Sequence, residues 1–150
     1  MSKTNLPVVI LMAEDNQDYC LLAKEAIEES KIDNDMRFVE DGEELLKYLR
    51  RNGKFTDPDK SPYPGLIVLD LNMPRKDGRE ALQEIKTDPV LKRIPVLVLT
   101  TSNAEEDMLS CYDLGANSYI TKPATFERLV DLMKSLGDYW FEFVELPKNE

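Results

Sequence analysis

The chain contains no histidine and only two cysteines among its 150 residues. The absence of histidine excludes Ser-His-Asp and Cys-His catalysis, and it excludes zinc sites with imidazole ligands. Cys20 and Cys111 form no CxxC pair, so they are typical of buried thiols in a reducing compartment rather than of a disulfide framework. We therefore expect a cytoplasmic protein.

Basic residues and long apolar runs are also scarce. Nineteen lysines and arginines face 29 aspartates and glutamates, which gives a formal net charge of −10. This balance argues against a general binder of nucleic acid phosphates and against an anionic membrane surface as a partner. The longest apolar run, Val8–Ala13, is far shorter than the roughly 18 residues of a transmembrane helix. We expect neither nucleic acid nor membrane among the partners.

What the sequence does contain is a regular alternation of two kinds of segment. Apolar residues recur at helical spacing between short apolar runs, and this alternation predicts an α/β fold with a doubly wound parallel sheet of five strands and helices on both faces. The pattern places one domain at residues 1–137 and an apolar extension at residues 138–150. The predicted strands are Val8–Met12, Met36–Val39, Leu66–Leu69, Val96–Leu99 and Tyr119–Ile120.

Polar side chains follow four of these strands at the point where each strand ends. Glu14 and Asp15 follow the first strand, Asp70 the third, Thr100 the fourth and Lys122 the fifth. In open α/β sheets, sites form at the carboxyl ends of the strands. We therefore expect three carboxylates, a hydroxyl and a lysine at one edge of the sheet.

The chemistry of this set favours a metal-assisted reaction. Two carboxylates 4 Å apart repel by about 4 kcal/mol at an effective dielectric constant of 20, so three of them would shift their proton affinities or recruit a cation. Oxygen ligands select Mg²⁺, with Mn²⁺ as the alternative. A carboxylate, a divalent cation, a lysine and a hydroxyl together indicate phosphoryl transfer onto an aspartate. The segment 14–16 alone is equally compatible with a simple helix cap.

The order of these residues resembles the receiver domain of two-component response regulators. The likeness extends from about Leu6 to Leu136, and Pro74 and Gly78 match the turn that follows the phosphoacceptor in that family. The resemblance implies a flavodoxin-like fold with Asp70 as the phosphoacceptor. It also implies a protein that catalyses only its own phosphorylation and dephosphorylation and is not otherwise an enzyme.

The resemblance further implies a role for each of the other residues. Asp15 would bind Mg²⁺ directly and Glu14 would bind it through water, while Asn72 would offer its backbone carbonyl to the ion. Thr100 would move toward the phosphoryl group, Lys122 would hold a phosphoryl oxygen, and the rotamer of Tyr119 would report the movement. By the same resemblance we expect a cis peptide bond between Lys122 and Pro123.

A narrower likeness concerns the partner. The long loop Gly53–Pro64, the run LTTSNAEED and the tail YWFEFVELP are similar to the small response regulators that are partnered with cyanobacterial phytochromes. This likeness implies a sensor histidine kinase of the phytochrome type as the phosphoryl donor. Since no second domain remains for DNA binding, we expect output through protein–protein contact.

Two other functions are compatible with the same residues. One is a Mg²⁺-dependent phosphohydrolase of the haloacid dehalogenase type with Asp70 as its nucleophile. Such enzymes usually place a second acid two positions later as the general acid, and Asn72 at that position cannot donate a proton in that role. The other is a scaffold of the same fold that works without phosphorylation, which the complete set of chemical residues disfavours.

The apolar extension indicates an interface. Six large apolar residues fall within eight positions, and they would be costly if exposed. The extension either folds back on its own domain or docks on another chain, and we favour a symmetric homodimer. The six residues are Tyr139, Trp140, Phe141, Phe143, Val144 and Leu146.

Truncation after Gly137, or the pair Trp140→Ala and Phe143→Ala, is therefore expected to give monomers that still accept a phosphoryl group on Asp70. Burial of one Leu- or Phe-sized side chain contributes about 1.5–3 kcal/mol, and several of them can outweigh the cost of association. Light scattering across a range of concentrations checks this. A full-length protein that stays monomeric at high micromolar concentration would leave packing within the chain as the role of the extension.

Overall fold

Five parallel strands form a single sheet in the computed structural model, which describes residues 8–31 and 34–138. The strands lie in the order β2-β1-β3-β4-β5. They are β1 (Val8–Ala13), β2 (Asn34–Val39), β3 (Leu66–Leu69), β4 (Val96–Thr100) and β5 (Ser118–Thr121). The helices are α1 (Gln17–Ser30), α2 (Gly42–Leu49), α3 (Gly78–Thr87), α4 (Glu105–Leu114) and α5 (Phe126–Leu136). None of these helices has the length and apolarity that crossing a membrane requires.

The two faces of the sheet bury two separate apolar cores. Because successive residues of a strand point to opposite faces, Ile10 and Met12 of β1 enter the core shared with α1 and α5. Leu11 and Ala13 of the same strand enter the core shared with α2, α3 and α4. A sheet covered on both faces needs continuously apolar strands, which is the pattern of the sequence. The predicted α/β class and five-stranded parallel sheet are confirmed.

Four of the five helices named above begin at a side chain that caps them. Asn16 Oδ1 accepts from the backbone N–H of Tyr19 at the start of α1, and the Asp77 side chain accepts from Glu80 at the start of α3. Asp41 and Thr125 act in the same way for α2 and α5. Such caps satisfy backbone N–H groups that lack partners within the helix. Three of these four helices start within a few residues of a strand end, which brings their N-termini to the edge of the sheet that carries the polar residues.

The long loop Gly53–Pro64 is anchored rather than free. It contains a 3₁₀ turn at Gly53–Phe55, and the ring of Phe55 packs 5.0 Å, centroid to centroid, from the ring of Tyr48. The Tyr48 hydroxyl donates to the Pro62 carbonyl at 2.6 Å, and Arg37 Nη1 donates to the Lys60 carbonyl at 2.8 Å. The loop therefore closes over α2 and the edge strand β2.

Gly78 lets α3 approach the end of β3. A Cβ atom added at this position would collide with the Asp70 carbonyl oxygen and would lie 2.7 Å from Leu71 Cα. The Gly78 N–H donates to the Leu71 carbonyl at 3.0 Å, which fixes the same approach. The position of Asp70 thus depends on a residue without a side chain.

Gly78→Ala is expected to destabilise the protein by about 1–3 kcal/mol, because the added Cβ atom would displace backbone atoms of Asp70 and Leu71. This corresponds to a fall in melting temperature of roughly 2–12 °C. Gln83→Ala on the exposed face of the same helix is the control and should leave the melting temperature unchanged. Equal melting temperatures for Gly78→Ala and the wild type would show that the close approach is unnecessary.

Candidate functional site

The polar residues at the strand ends converge at one edge of the sheet. Glu14 directly follows β1, Asp70 directly follows β3, and Lys122 directly follows β5. Thr100 is the last residue of β4, because this strand extends one residue beyond its predicted end at Leu99. Because β1, β3, β4 and β5 are consecutive neighbours in the sheet, their ends lie side by side.

Three carboxylates form a tight cluster. Glu14, Asp15 and Asp70 each place one carboxylate oxygen within 4.8 Å of the other two. Glu14 and Asp70 are buried, with relative exposures of 2% and 5%, whereas Asp15 is exposed. Hard oxygen donors at this spacing suit a divalent cation of the Mg²⁺ or Mn²⁺ type, and the cluster could hold one.

Among the described residues, Lys122 is the positively charged side chain that pairs with these acids. Its Nζ lies 2.7 Å from Glu14 Oε1 and 3.6 Å from Asp70 Oδ2, and only 12% of its side chain is exposed. The backbone N–H of Lys122 donates to the Thr100 carbonyl at 2.7 Å, which extends the pairing of β4 and β5 up to the site. The lysine therefore bridges two of the three carboxylates.

The peptide bond between Lys122 and Pro123 is trans, so the expected cis bond is wrong. The hydrogen bond from Lys122 to Thr100 already directs the backbone, and from there the long side chain reaches both carboxylates. Aiming the ammonium at Asp70 therefore requires no cis bond.

The environment of Glu14 disfavours its charge. Burial raises the pKa of Glu14 above its ordinary value of 4.5, and the negative charge of Asp70 adds to the rise. The hydrogen bond from Lys122 and the Asn16 N–H, which donates to Glu14 Oε2 at 3.1 Å, oppose it. A positive charge brought to this cluster would lower the electrostatic cost of an ionised Glu14.

Thr100 is fully buried, and its hydroxyl lacks a hydrogen-bond partner among the residues that the structure describes. An unsatisfied buried donor costs about 1–3 kcal/mol. The hydroxyl therefore gains free energy from any acceptor that reaches it.

Tyr119 is tied to the loop between β4 and α4. Its hydroxyl donates to the Ser102 carbonyl at 2.9 Å, and its ring packs against the core beneath α2, α3 and α4. The Ser102 hydroxyl in turn donates to Asp107 Oδ2 at 2.6 Å, and Arg79 of α3 pairs with Asp107. The loop that follows Thr100 is thereby held by three side chains.

Asn72 lies in the loop between β3 and α3, two residues after Asp70. Its side chain is exposed, and its backbone N–H lies 3.4 Å from Asp70 Oδ1. The loop is attached to the start of α2, because Arg75 pairs with the buried Asp41 and the Gly42 N–H donates to the Lys76 carbonyl at 2.9 Å.

Sequence reasoning missed two residues that shape the site. Tyr19 places its ring against the Lys122 ammonium, with Nζ 4.2 Å from the ring centroid. Asp41 both caps α2 and holds Arg75. For Asp41, the signal in the sequence was the Asp41–Gly42 pair, which lies two residues after the second strand. Tyr19 had none, since it reads as one member of a helical apolar stripe.

The apolar residues Tyr139, Trp140, Phe141 and Phe143 lie outside the described residues, so the predicted interface stays a prediction.

The sequence and the fold are both similar to those of known proteins. Residues 10–134 match the family described as the response regulator receiver domain. Response regulator Rcp1 of Synechocystis sp. is 42% identical over 145 residues, which cover 97% of each chain. The crystal structure of the phosphorylated cyanobacterial phytochrome response regulator RcpA is 43% identical, with a TM-score of 0.86 over 95% of this chain and 99% of RcpA. The Mn²⁺-bound form of Rcp1 is 42% identical, with a TM-score of 0.83 over 95% of this chain and all of that one.

A divalent cation is expected to stabilise the protein through the acid cluster. At a concentration of 100 times the Kd, Mg²⁺ or Mn²⁺ should add about 2.7 kcal/mol, or roughly 5–10 °C in melting temperature. Asp15→Asn should abolish most of this gain and raise the melting temperature in EDTA by roughly 1–3 °C, since it removes one of three repelling charges.

The matched control is Glu25→Gln, which removes one exposed negative charge from α1 outside the cluster and should keep the cation response. Thermal unfolding monitored by circular dichroism, with and without the cation, checks both variants. A full cation response in Asp15→Asn would exclude Asp15 as a ligand.

Proposed function

The chain belongs to the response regulator receiver family, and from that membership we propose that it accepts a phosphoryl group on Asp70 from a sensor histidine kinase. The observation that carries the proposal is the convergence of Asp70, two further carboxylates and Lys122 at one edge of the sheet. Asp70 is buried except for a small opening, so a reaction there is shielded from bulk water. The change of charge at Asp70 then alters the surface that the protein presents to its partners.

The three carboxylates fit a divalent cation, for which Mg²⁺ is the first choice and Mn²⁺ the alternative. Asp15 and Asp70 would bind it directly, Glu14 through water, and Asn72 through its backbone carbonyl. When bound, the cation supplies positive charge that lowers the repulsion between an incoming phosphoryl group and the acids.

The transfer step uses a carboxylate oxygen of Asp70 as the nucleophile. This oxygen forms a bond to phosphorus while the bond from phosphorus to the phosphohistidine nitrogen breaks, and the electron pair of that bond stays on the imidazole. The Nζ atom of Lys122 lies 3.6 Å from Asp70 Oδ2, so its ammonium can bind an oxygen of a phosphoryl group on Asp70. Its pairing with Glu14 at 2.7 Å holds the lysine in place before the donor arrives.

Thr100 and Tyr119 form the switch in this proposal. The unpartnered Thr100 hydroxyl donates to a phosphoryl oxygen on Asp70, which satisfies a buried donor. Movement of Thr100 shifts the loop that follows it, and the Ser102 carbonyl then no longer holds the Tyr119 hydroxyl. The altered loop and the start of α4 form the surface that a downstream protein reads.

The kinase that donates the phosphoryl group is of the phytochrome type in this proposal. Support comes from the end-to-end similarity to RcpA and Rcp1, of which the first is described as a cyanobacterial phytochrome response regulator. We place the receiver domain at residues 1–137 and propose that residues 138–150 form a homodimer interface. We also propose that the protein lies in the cytoplasm, where its free thiols stay reduced. Phosphotransfer from a panel of kinases encoded in the source genome, phytochrome-type kinases included, identifies the donor.

Asp70→Asn is expected to abolish phosphorylation by acetyl phosphate in the presence of Mg²⁺, because an amide is not a nucleophile in this reaction. Electrophoresis in a phosphate-binding gel measures the fraction phosphorylated. Asp113→Asn, an exposed aspartate on α4, is the control and should be phosphorylated like the wild type.

Two results would count against the proposal. Stoichiometric phosphorylation of Asp70→Asn would place the acceptor elsewhere. Continuous hydrolysis of a phosphomonoester by the wild type, in place of a single slow turnover, would indicate a phosphohydrolase.

A further inference from the structure

The ammonium of Lys122 lies on the face of the Tyr19 ring. The distance from Nζ to the ring centroid is 4.2 Å, well inside the roughly 6 Å over which a ring quadrupole attracts a cation. The two other contacts of this kind among the described residues, Lys54 with Phe55 and Arg51 with Tyr63, are longer at 5.4 and 5.6 Å. Neither of these lies at the acid cluster.

The position of the ring is fixed by the same turn that carries the acids. Tyr19 lies in the first turn of α1, and its backbone N–H donates to the Asn16 cap at 3.0 Å. Its side chain packs against the apolar core beneath α1 and α5. The ring is therefore held from the α1 side of the site, whereas Lys122 enters it from the end of β5.

Lys122 is restrained by two kinds of partner that respond differently to a bound cation. The carboxylates of Glu14 and Asp70 attract the ammonium by charge, and a divalent cation held by the acid cluster would weaken that attraction. The ring of Tyr19 carries no net charge and does not ligate a hard cation, so its attraction persists.

We propose that Tyr19 is a positioning residue that keeps the Lys122 ammonium at the site while the carboxylates hold a cation and the phosphoryl group arrives. This role rests on the phosphoryl transfer to Asp70 proposed above. Lysine has a flexible side chain, and ordering it costs rotamer entropy. If the side chain is already confined before the reaction, this entropy is not lost during the transfer step.

The ring face, and not the hydroxyl, carries this role. The Tyr19 hydroxyl is buried and has no hydrogen-bond partner among the described residues. Burial raises the pKa of Tyr19 to about 12, with the negative charges of Glu14 and Asp70 contributing, so the hydroxyl stays neutral. Phenylalanine at position 19 therefore preserves the interaction and leucine removes it.

The first test compares the rates of phosphorylation by acetyl phosphate with Mg²⁺. Tyr19→Leu should lower the second-order rate constant roughly threefold to thirtyfold, whereas Tyr19→Phe should retain the wild-type rate. The matched control is Phe38→Leu, the same kind of change in an aromatic residue of β2 that packs against the same core. Among the described residues, Phe38 has no cation over its ring, and its loss should leave the rate unchanged.

The second test varies the ring electronics at nearly constant shape. Phenylalanine with one, two and three ring fluorines, incorporated at position 19, should lower the rate stepwise, since each fluorine withdraws π density from the ring face. A residue that only packs would give no such trend. This series also keeps the proposal testable if Tyr19→Leu fails to fold.

A third measurement detects the contact without any reaction. In proton NMR spectra, the ε-methylene of Lys122 should be shifted upfield by the ring current in the wild type and in Tyr19→Phe. The shift should disappear in Tyr19→Leu. Retention of the wild-type position in Tyr19→Leu would overturn the contact itself.

The outcomes separate this inference from the proposed function. If the wild type is not phosphorylated on Asp70, the proposed function fails and the positioning role fails with it, although the NMR contact can still be observed. If the wild type is phosphorylated but Tyr19→Leu reacts equally fast, only the positioning role is overturned. Equal slowing in Tyr19→Leu and Phe38→Leu, or a flat fluorine series, would reduce Tyr19 to packing.

Discussion

Partial compensation of negative charge at the carboxyl ends of the strands governs the chemistry of this edge of the sheet. Two of the three clustered carboxylates, Glu14 and Asp70, are buried, and Lys122 bridges them. A buried carboxylate without a counter-charge is unstable in a protein interior. One lysine cannot balance three acids, and the remaining negative charge suits the cluster to a divalent cation.

The fold serves this arrangement by converging four strand ends and fixing the loops that leave them. Gly78 permits α3 to begin against the Asp70 carbonyl, and Asp41 holds the loop after Asp70 through Arg75. On the other side, Tyr119 and Asp107 hold the loop after Thr100. Asp70 is thus rigidly placed, whereas the Thr100 hydroxyl is buried with no hydrogen-bond partner among the described residues. The proposed switch relies on these two features, a rigid carboxylate at the end of β3 and an unsatisfied donor at the end of β4.

Much of this could be predicted from the sequence because the information is local. An acid directly after Leu66–Leu69 must emerge where a buried strand ends, and the same holds for Glu14 and Lys122 at their strands. The contact between Tyr19 and Lys122 depends on how α1 lies relative to the end of β5, which no spacing along the chain reveals. The expected cis bond before Pro123 was also wrong. The sequence does not reveal that the Lys122 N–H is bound to the Thr100 carbonyl, which already directs the backbone toward the site.

The proposed function requires Asp70 to become an acyl phosphate in a cation-dependent reaction. The most direct measurement is incubation with acetyl phosphate, reduction with borohydride, and peptide mass spectrometry, because reduction converts an aspartyl phosphate to homoserine. Homoserine is expected at position 70 when Mg²⁺ is present, and none is expected when EDTA replaces it. Homoserine at another aspartate, or equal conversion of Asp70 in EDTA, would contradict it.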